Sequence, residues 1–387
     1  MSQSLRASNM NMKKAKMESI SYKKTILPDL ISLLSARGSK DYREEYHSIY
    51  SSIIEIIKNT QYVTAGQSEQ IKLKISATLL KDIEKVHSTI SSCIDKYLQG
   101  AIAEAYALFN TQWGKIKIPK YEEHIKNMKF YRMRSRKEDE KEFSASDLLH
   151  IPIDKRHIIR NQRFSINGFP CLYASTSLYQ CWEELRRPHL QELYAAGLLF
   201  TNDIALLDLR IIRNIKNAKQ LKAFMVRLPL IIACSIKTKD DKAEFKAEYI
   251  IPQILLHTIL NVKSNIDGIL YSSLRKDYRY FLQYENIENS ILNENIVIPA
   301  KVHYDNNTFV DDLKKMIEIS QPLNFEQEII KGLISFNKTE QYEKTIFGQM
   351  EQLLIDAPVC KADKLPQISL INLSKRLKEI TNKVIII

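Results

Sequence analysis

The stretch RFSINGFPCLYASTSLYQCWEEL, residues Arg163 to Leu185, decides how the chain folds. NGFP carries an Asn-Gly pair and a proline and reads as a turn. CLYAS is short, apolar and β-prone and reads as a strand. SLYQCWEELRRPHL reads as a helix that ends near Pro188. One turn–strand–helix unit therefore holds an arginine, a tyrosine and two adjacent glutamates. Within that helix Leu178, Cys181, Trp182 and Leu185 form an apolar stripe at spacings of three and four, with Cys181 and Trp182 expected in the core. At 100° per residue, Glu183 lies roughly 150° from the centre of the stripe and Glu184 roughly 110°. Glu183 is thus expected to face solvent, and Glu184 to stand at the edge of the buried face.

Working outward, KFYRMRS, DIALLDLRI, IDGILYSS, YRYFLQYE and NIVIPA read as short strands, and EYIIPQILLHTILNV as a helix. Strands and helices alternate irregularly, which predicts an α+β unit with a mixed sheet over residues 121–305. Before it, residues 1–120 carry apolar residues at helical spacing, with breaks at Gly38, TAGQS and Gly100, and predict a helical N-terminal domain. After it, residues 306–387 predict a helical C-terminal segment.

The 387 residues are 44% hydrophobic and 26% charged, which places the chain among globular proteins. No run of eighteen apolar residues occurs, so no membrane span is expected. The N-terminal stretch is basic but lacks an apolar signal core, and a cytoplasmic location is expected. The five cysteines, Cys93, Cys171, Cys181, Cys234 and Cys360, are scattered and odd in number, as reduced and mostly buried thiols would be. No Cys or His cluster has ligand spacing; His150 and His157 stand seven apart across a proline, so no metal is expected. The net charge of +12 favours polyanionic partners, but its lysines are spread along helical stretches as solvated faces. No RNA-binding signature accompanies them, and nucleic acid is disfavoured.

Glycine-rich phosphate loops are absent, both G-x-G-x-x-G and the P-loop, and so is a G-x-S-x-G elbow. If the protein handles a nucleotide, side chains must hold its phosphates. The ordered series YRMR, HIP, RFSINGFPCLYASTSLYQCWEEL and IDGILYSS resembles the RES domain, a family named for an arginine, a glutamate and a serine. Arg163 precedes Tyr173 by ten residues with Gly168 and Pro170 between them, Glu184 follows Tyr173 by eleven, and Ser273 takes the place of the family's serine. Arg132 resembles the first arginine of the pattern. Ser165 departs from it, where asparagine is common. The likeness runs from about Lys129 to Val302.

The resemblance implies a fold like that of ADP-ribosyltransferases and an enzyme that consumes NAD by cleaving its nicotinamide–ribose bond, as a toxin or defence effector paired with an antitoxin. Water or phosphate would be the acceptor, with NAD a substrate and no cofactor needed. In that scheme Arg163, and after it Arg132, would hold the pyrophosphate through a forked guanidinium. Glu184 would stabilise an oxocarbenium-like ribosyl centre. Tyr173 would stack on a base and donate from its hydroxyl, and Ser273 would donate to a phosphate or ribose oxygen. Tyr131, His150 and His157 are further candidates for the cleft wall. Transfer of ADP-ribose to a macromolecule stands as an alternative, as does an inactive RES-like domain within a helical interaction protein. Antitoxin binding, homo-oligomerisation and regulation are all open to the helical N-terminal part.

Overall fold

The computed structural model describes residues 23–24, 27–35, 41–65, 71–115, 122–125, 128–137, 141–211, 215–261, 265–273, 294–300, 302–305, 308–337 and 342–365. The strand expected at Tyr278–Glu285, the basic N-terminal stretch up to residue 22 and the apolar tail after residue 365 lie outside the described residues.

A large mixed sheet organises the molecule. Its strands are β4 (Glu122–Ile125), β5 (Lys129–Ser135), β6 (Cys171–Ser175), β7 (Leu193–Phe200), β8 (Ile204–Leu209), β9 (Gly268–Ser272), β10 (Glu294–Pro299), β13 (Ile317–Ser320), β14 (Leu323–Asn324) and β15 (Val359–Lys361). Three shorter strands, β1 (Lys23–Lys24), β2 (Tyr62–Ala65) and β3 (Ile71–Lys74), form a separate sheet, and β11 (Val302–Asp305) pairs with β12 (Thr308–Asp311). The order across the large sheet is β15-β13-β7-β5-β6-β10-β9-β8-β4, with β14 also on β7. Within the large sheet, among the described residues, only β8 and β9 run parallel. A parallel pair needs a crossover, and the helices Ala218–Ser235 and Ile250–Asn261 lie between them in the chain. This is the expected α+β architecture.

Alternation along the strands sorts side chains between two layers. On one face Cys171, Leu207, Leu209, Ile269 and Val297 join a core with the helices; on the other Leu172, Ala174, Leu206, Leu270, Ile296 and Ile298 form a second core. In chain order the helices are α1 (Leu27–Ser35), α2 (Tyr42–Lys58), α3 (Ala77–Leu98), α4 (Ile102–Lys115), α5 (Leu178–Glu184), α6 (Ala218–Ser235), α7 (Ile250–Asn261), α8 (Asp312–Lys315), α9 (Phe325–Ile330) and α10 (Ile346–Asp356). On α3, Leu79, Ile83, Val86, Ile90 and Ile94 are buried at helical spacing, and Ser76 caps its first turn. Helices α2, α3 and α4 pack into the same core as α6 and α7, and the Tyr42 hydroxyl donates to the Ala233 carbonyl of α6. The N-terminal helices are thus built onto the sheet's helical layer.

Two expectations change. The helical N-terminal domain expected over residues 1–120 also holds β1, β2 and β3; the expected break at TAGQS begins at the end of β2, which pairs antiparallel with β3. The C-terminal segment was expected to be helical, but it supplies β13, β14 and β15. The physical reason is β7: its backbone would otherwise present an open hydrogen-bonding edge beside β5. Strand β7 itself, Leu-Tyr-Ala-Ala-Gly-Leu-Leu-Phe, and helix α6, apolar almost all round with Pro229 inside, carry no clear period in sequence. All five cysteines are free thiols, four of them buried and Cys360 partly so. Among the described residues no helix is long and apolar enough to cross a membrane.

Candidate active site

The cleft opens where the sheet parts. Strand β5 pairs with β7 over seven residues, and β6 pairs with β10 over five, but β5 and β6 meet only at Tyr131 and Ser175. Beyond that pair the strands diverge. The gap continues into a cleft of about 500 Å³ whose walls include Arg132 and Arg134 from β5, Tyr173 and Ser175 from β6, and Glu184. Arg163, Lys237, Tyr249 and Tyr271 line it as well. Arg132 Nη1 spans the gap and donates to the Tyr173 carbonyl at 2.5 Å.

Glu184 is the point of convergence. Its Oε1 accepts from Ser273 Oγ at 2.8 Å, from Asn295 Nδ2 at 2.7 Å and from Gln180 Nε2 at 3.0 Å. These donors come from the end of β9, from β10 and from one turn back on α5. Asn295 is oriented in turn by Ser175 Oγ, 2.6 Å from its Oδ1. Converging donors fix a carboxylate in one orientation at the cleft wall. Gln180 and Asn295 were not anticipated. Gln180 stands four residues before Glu184 on the same helix face, which was a readable signal; Asn295 is a buried polar residue in the apolar strand NIVIP, where a polar side chain needs a partner.

The adjacent glutamate corrects an expectation. Glu183 does not face solvent: it is 4% exposed, and Arg187 grips it with Nε at 3.0 Å and Nη2 at 2.9 Å. Helix α5 has seven residues and is enclosed on several sides, so Leu178, Gln180, Cys181 and Glu183 are all buried while Leu185 of the expected stripe is exposed. Cys181 is core as expected, but Trp182 is only partly buried. Arg187 reaches back to Glu183 because Arg186 and Arg187 both adopt positive φ, 69° and 57°, and close the helix end.

The arginine side differs from expectation too. The fork of Arg163 points into the protein's own main chain, with Nη1 at 3.1 Å from the Cys234 carbonyl and 3.4 Å from that of Glu248, and Nη2 at 2.8 Å from that of Ile236. Two of these carbonyls belong to the end of α6, which a cation caps well. The guanidinium also lies over the Tyr249 ring, 5.1 Å from its centroid. The Tyr173 hydroxyl donates to the Phe164 carbonyl at 2.7 Å, and burial raises its pKa. Gly168 turns the loop between them at φ 75°. Arg163 and Tyr173 thus line the cleft while their polar ends brace its wall.

Arg132 lines the cleft with guanidinium capacity left. Its buried Nε has no hydrogen-bond partner. Burial, and next the charge of Arg134, push its pKa down to about 10. A half-buried cation beside another favours an anion in the cleft. Tyr131 and His150 do not line the cleft. Tyr131 alternates with Arg132 along β5 and packs with Leu178, Phe347 and Met350, while His150 is buried, with Nδ1 3.1 Å from the Ile151 carbonyl. His157, on an exposed 3-10 turn, does not line it either.

The family model described as RES domain matches residues 129–291. A protein of Bacillus subtilis (strain 168) named "Putative toxin YopC" is 32% identical over 338 residues, which is 76% of this chain and 74% of that protein. The chain belongs to the RES-domain family. No solved structure matches it. Within the RES domain, Arg132, Arg163, Tyr173, Glu184 and Ser273 all reach one region, four of them on the cleft wall and Ser273 through Glu184. Asn295 and the strands β13 to β15 lie beyond the matched residues, so the sheet of this RES protein is completed by chain that the family model does not span.

Proposed function

We propose that this RES protein degrades NAD by breaking the nicotinamide–ribose bond, as a toxin or defence effector. The observation that carries the reading is the convergence of Ser273, Asn295 and Gln180 on the Glu184 carboxylate beside a cleft lined with arginines. A ribosyl centre losing nicotinamide gathers positive charge, and a preorganised carboxylate stabilises that charge without reorganising. Arg132, half-buried and with an unpartnered Nε, takes the pyrophosphate role together with Lys237, which lines the same cleft. Tyr173, Tyr249 and Tyr271 offer ring faces for the bases. With water as acceptor the products are nicotinamide, ADP-ribose and a proton; with phosphate they are nicotinamide and ADP-ribose 1″-phosphate. The relative's name supports the toxin role, and an antitoxin is the partner such a protein would need.

The test incubates the purified chain with NAD, with and without phosphate, and identifies the products by mass spectrometry. Free nicotinamide with ADP-ribose or its phosphate is expected. NAD-derived label on protein or nucleic acid would instead favour transfer to a macromolecule. NAD left intact by a folded chain would overturn the reading.

A further inference from the structure

Helix α5 carries Glu184 but has only seven residues, too few to hold its own shape or direction in water. Its first backbone N–H groups need partners from outside the helix. Gln180 N–H is met by the N-cap, Ser177 Oγ, at 3.1 Å. Leu178 N–H is met at 2.6 Å by Oε1 of Glu351, a carboxylate on α10. The same oxygen accepts from the Tyr342 hydroxyl. One turn earlier on α10, Phe347 packs its ring against Tyr179 and Trp182 of α5, with centroids 5.5 and 5.3 Å apart. Residues four apart share a helix face, so Phe347 and Glu351 grip α5 together. Gly348 makes the arrangement possible, since a Cβ there would stand 2.3 Å from the Tyr342 carbonyl oxygen.

We propose that Glu351 is a positioning residue: by holding the first N–H of α5 it fixes where the Glu184 carboxylate stands in the cleft. This rests on the reading of Glu184 as the catalytic carboxylate. Glu351 lies beyond the residues of the family match, so the C-terminal segment sets the geometry of a site whose motif lies elsewhere.

The carboxylate titrates in a useful range. Burial raises its pKa to about 7, against the opposing hydrogen bonds from Tyr342 and Leu178, with Glu343 adding to the rise. Tyr342 and Glu343 face it from a 3-10 turn at Tyr342–Lys344, Cys181 from α5 and Tyr131 from β5. The ionised form is the stronger acceptor for Leu178 N–H, so kcat falls as the pH drops below about 7. Stability moves the other way. A folded pKa above the ordinary 4.5 contributes stability that is full below 4.5 and is lost as the pH rises through about 7.

The experiment uses the full chain with NAD as probe and compares wild type, Glu351→Ala, Glu351→Gln and Tyr342→Phe. Steady-state kinetics across pH, thermal melting and hydrogen exchange of residues 178–185 are read. Glu351→Ala should lower kcat at least about tenfold with KM little changed, because a small displacement of a catalytic group is costly, and should speed exchange in α5. Glu351→Gln keeps an acceptor oxygen; it should restore most of kcat and the protection, and lose the limb near pH 7. Tyr342→Phe removes a bond that lowers the pKa, so the wild-type limb should move to higher pH. Wild-type kcat and protection in Glu351→Ala would overturn the proposal, as would Glu351→Gln as impaired as Glu351→Ala. Should Glu351→Ala not fold, an unmoved limb in Tyr342→Phe overturns it. If wild type leaves NAD intact, the functional reading fails, and hydrogen exchange in Glu351→Ala against Glu351→Gln still decides whether Glu351 holds α5.

Discussion

The two ends of the stretch 163–185 both line one cleft and spend their polar groups differently. At the carboxylate end, Ser273, Asn295 and Gln180 turn toward Glu184, so protein donors are gathered at a group that faces the cleft. At the arginine end, Arg163 and Tyr173 turn away and hold the carbonyls of Cys234, Ile236, Glu248 and Phe164. The contrast teaches that one motif can encode chemistry and scaffold in the same run of residues. A residue's place in a family pattern fixes its location; its hydrogen bonds decide what it does there.

The sharpest break of that comparison is Glu184→Gln. It keeps shape and volume and removes the charge, so NAD cleavage should fall by about 100-fold or more with the melting temperature close to wild type. Product formation and melting curves check it. Retained turnover would leave the carboxylate wall without its role and reduce the convergence of donors to a packing device.

The two arginines should separate next. Arg132→Ala removes the guanidinium that has capacity for an anion, so KM for NAD should rise, by about tenfold. Arg163→Lys keeps the charge and loses the fork. An ammonium cannot reach three carbonyls on two elements, so this variant should melt lower and lose kcat, with KM moving less than in Arg132→Ala. Initial rates over a range of NAD concentrations, with melting on the same samples, distinguish them. A pure KM effect in Arg163→Lys with unchanged melting would return the pyrophosphate to Arg163 and make both walls chemical.

Much of this was legible in sequence. The strands CLYAS, KFYRMRS, DIALLDLRI, IDGILYSS and NIVIPA are all present, and the spacing from Tyr173 brings Glu184 and Ser273 together. What was hidden has physical causes. Strand β7 is disguised by Ala195, Ala196 and Gly197, and α6 by apolar residues on every face. Glu351 is far from Glu184 in sequence, and no local pattern announces a carboxylate that caps another helix. Glu183 was misplaced because an amphipathic phase assumes one buried side, whereas a short helix wedged between a sheet and α10 has several.

Glu183→Gln therefore carries a smaller but definite expectation. The amide cannot accept the charge-assisted pair of bonds from Arg187, and that pair closes a helix end with two residues at positive φ. Melting should drop by a few degrees. NAD turnover should fall far less than in Glu184→Gln, because Glu183 touches the helix end and not the cleft. Unchanged melting would mean that the positive-φ turn closes α5 without its ion pair.

The smallest effect belongs to Tyr131→Phe, and it tests the parity of β5. Side chains alternate along a strand, so Arg132 and its neighbour Tyr131 stand on opposite faces of β5. The ring of Tyr131 accordingly packs beneath α5 with Leu178, Phe347 and Met350, and burial raises the pKa of its hydroxyl. Its backbone carbonyl receives the Cys181 thiol at 3.2 Å, a contact the substitution leaves alone. Removing one hydroxyl from this cluster keeps the ring, the packing and the strand. NAD turnover should stay within about twofold of wild type, as for a residue that touches neither substrate nor the reacting carboxylate. Loss of turnover with an unchanged melting curve would place Tyr131 at the substrate, reverse the parity of β5 and turn Arg132 away from the cleft.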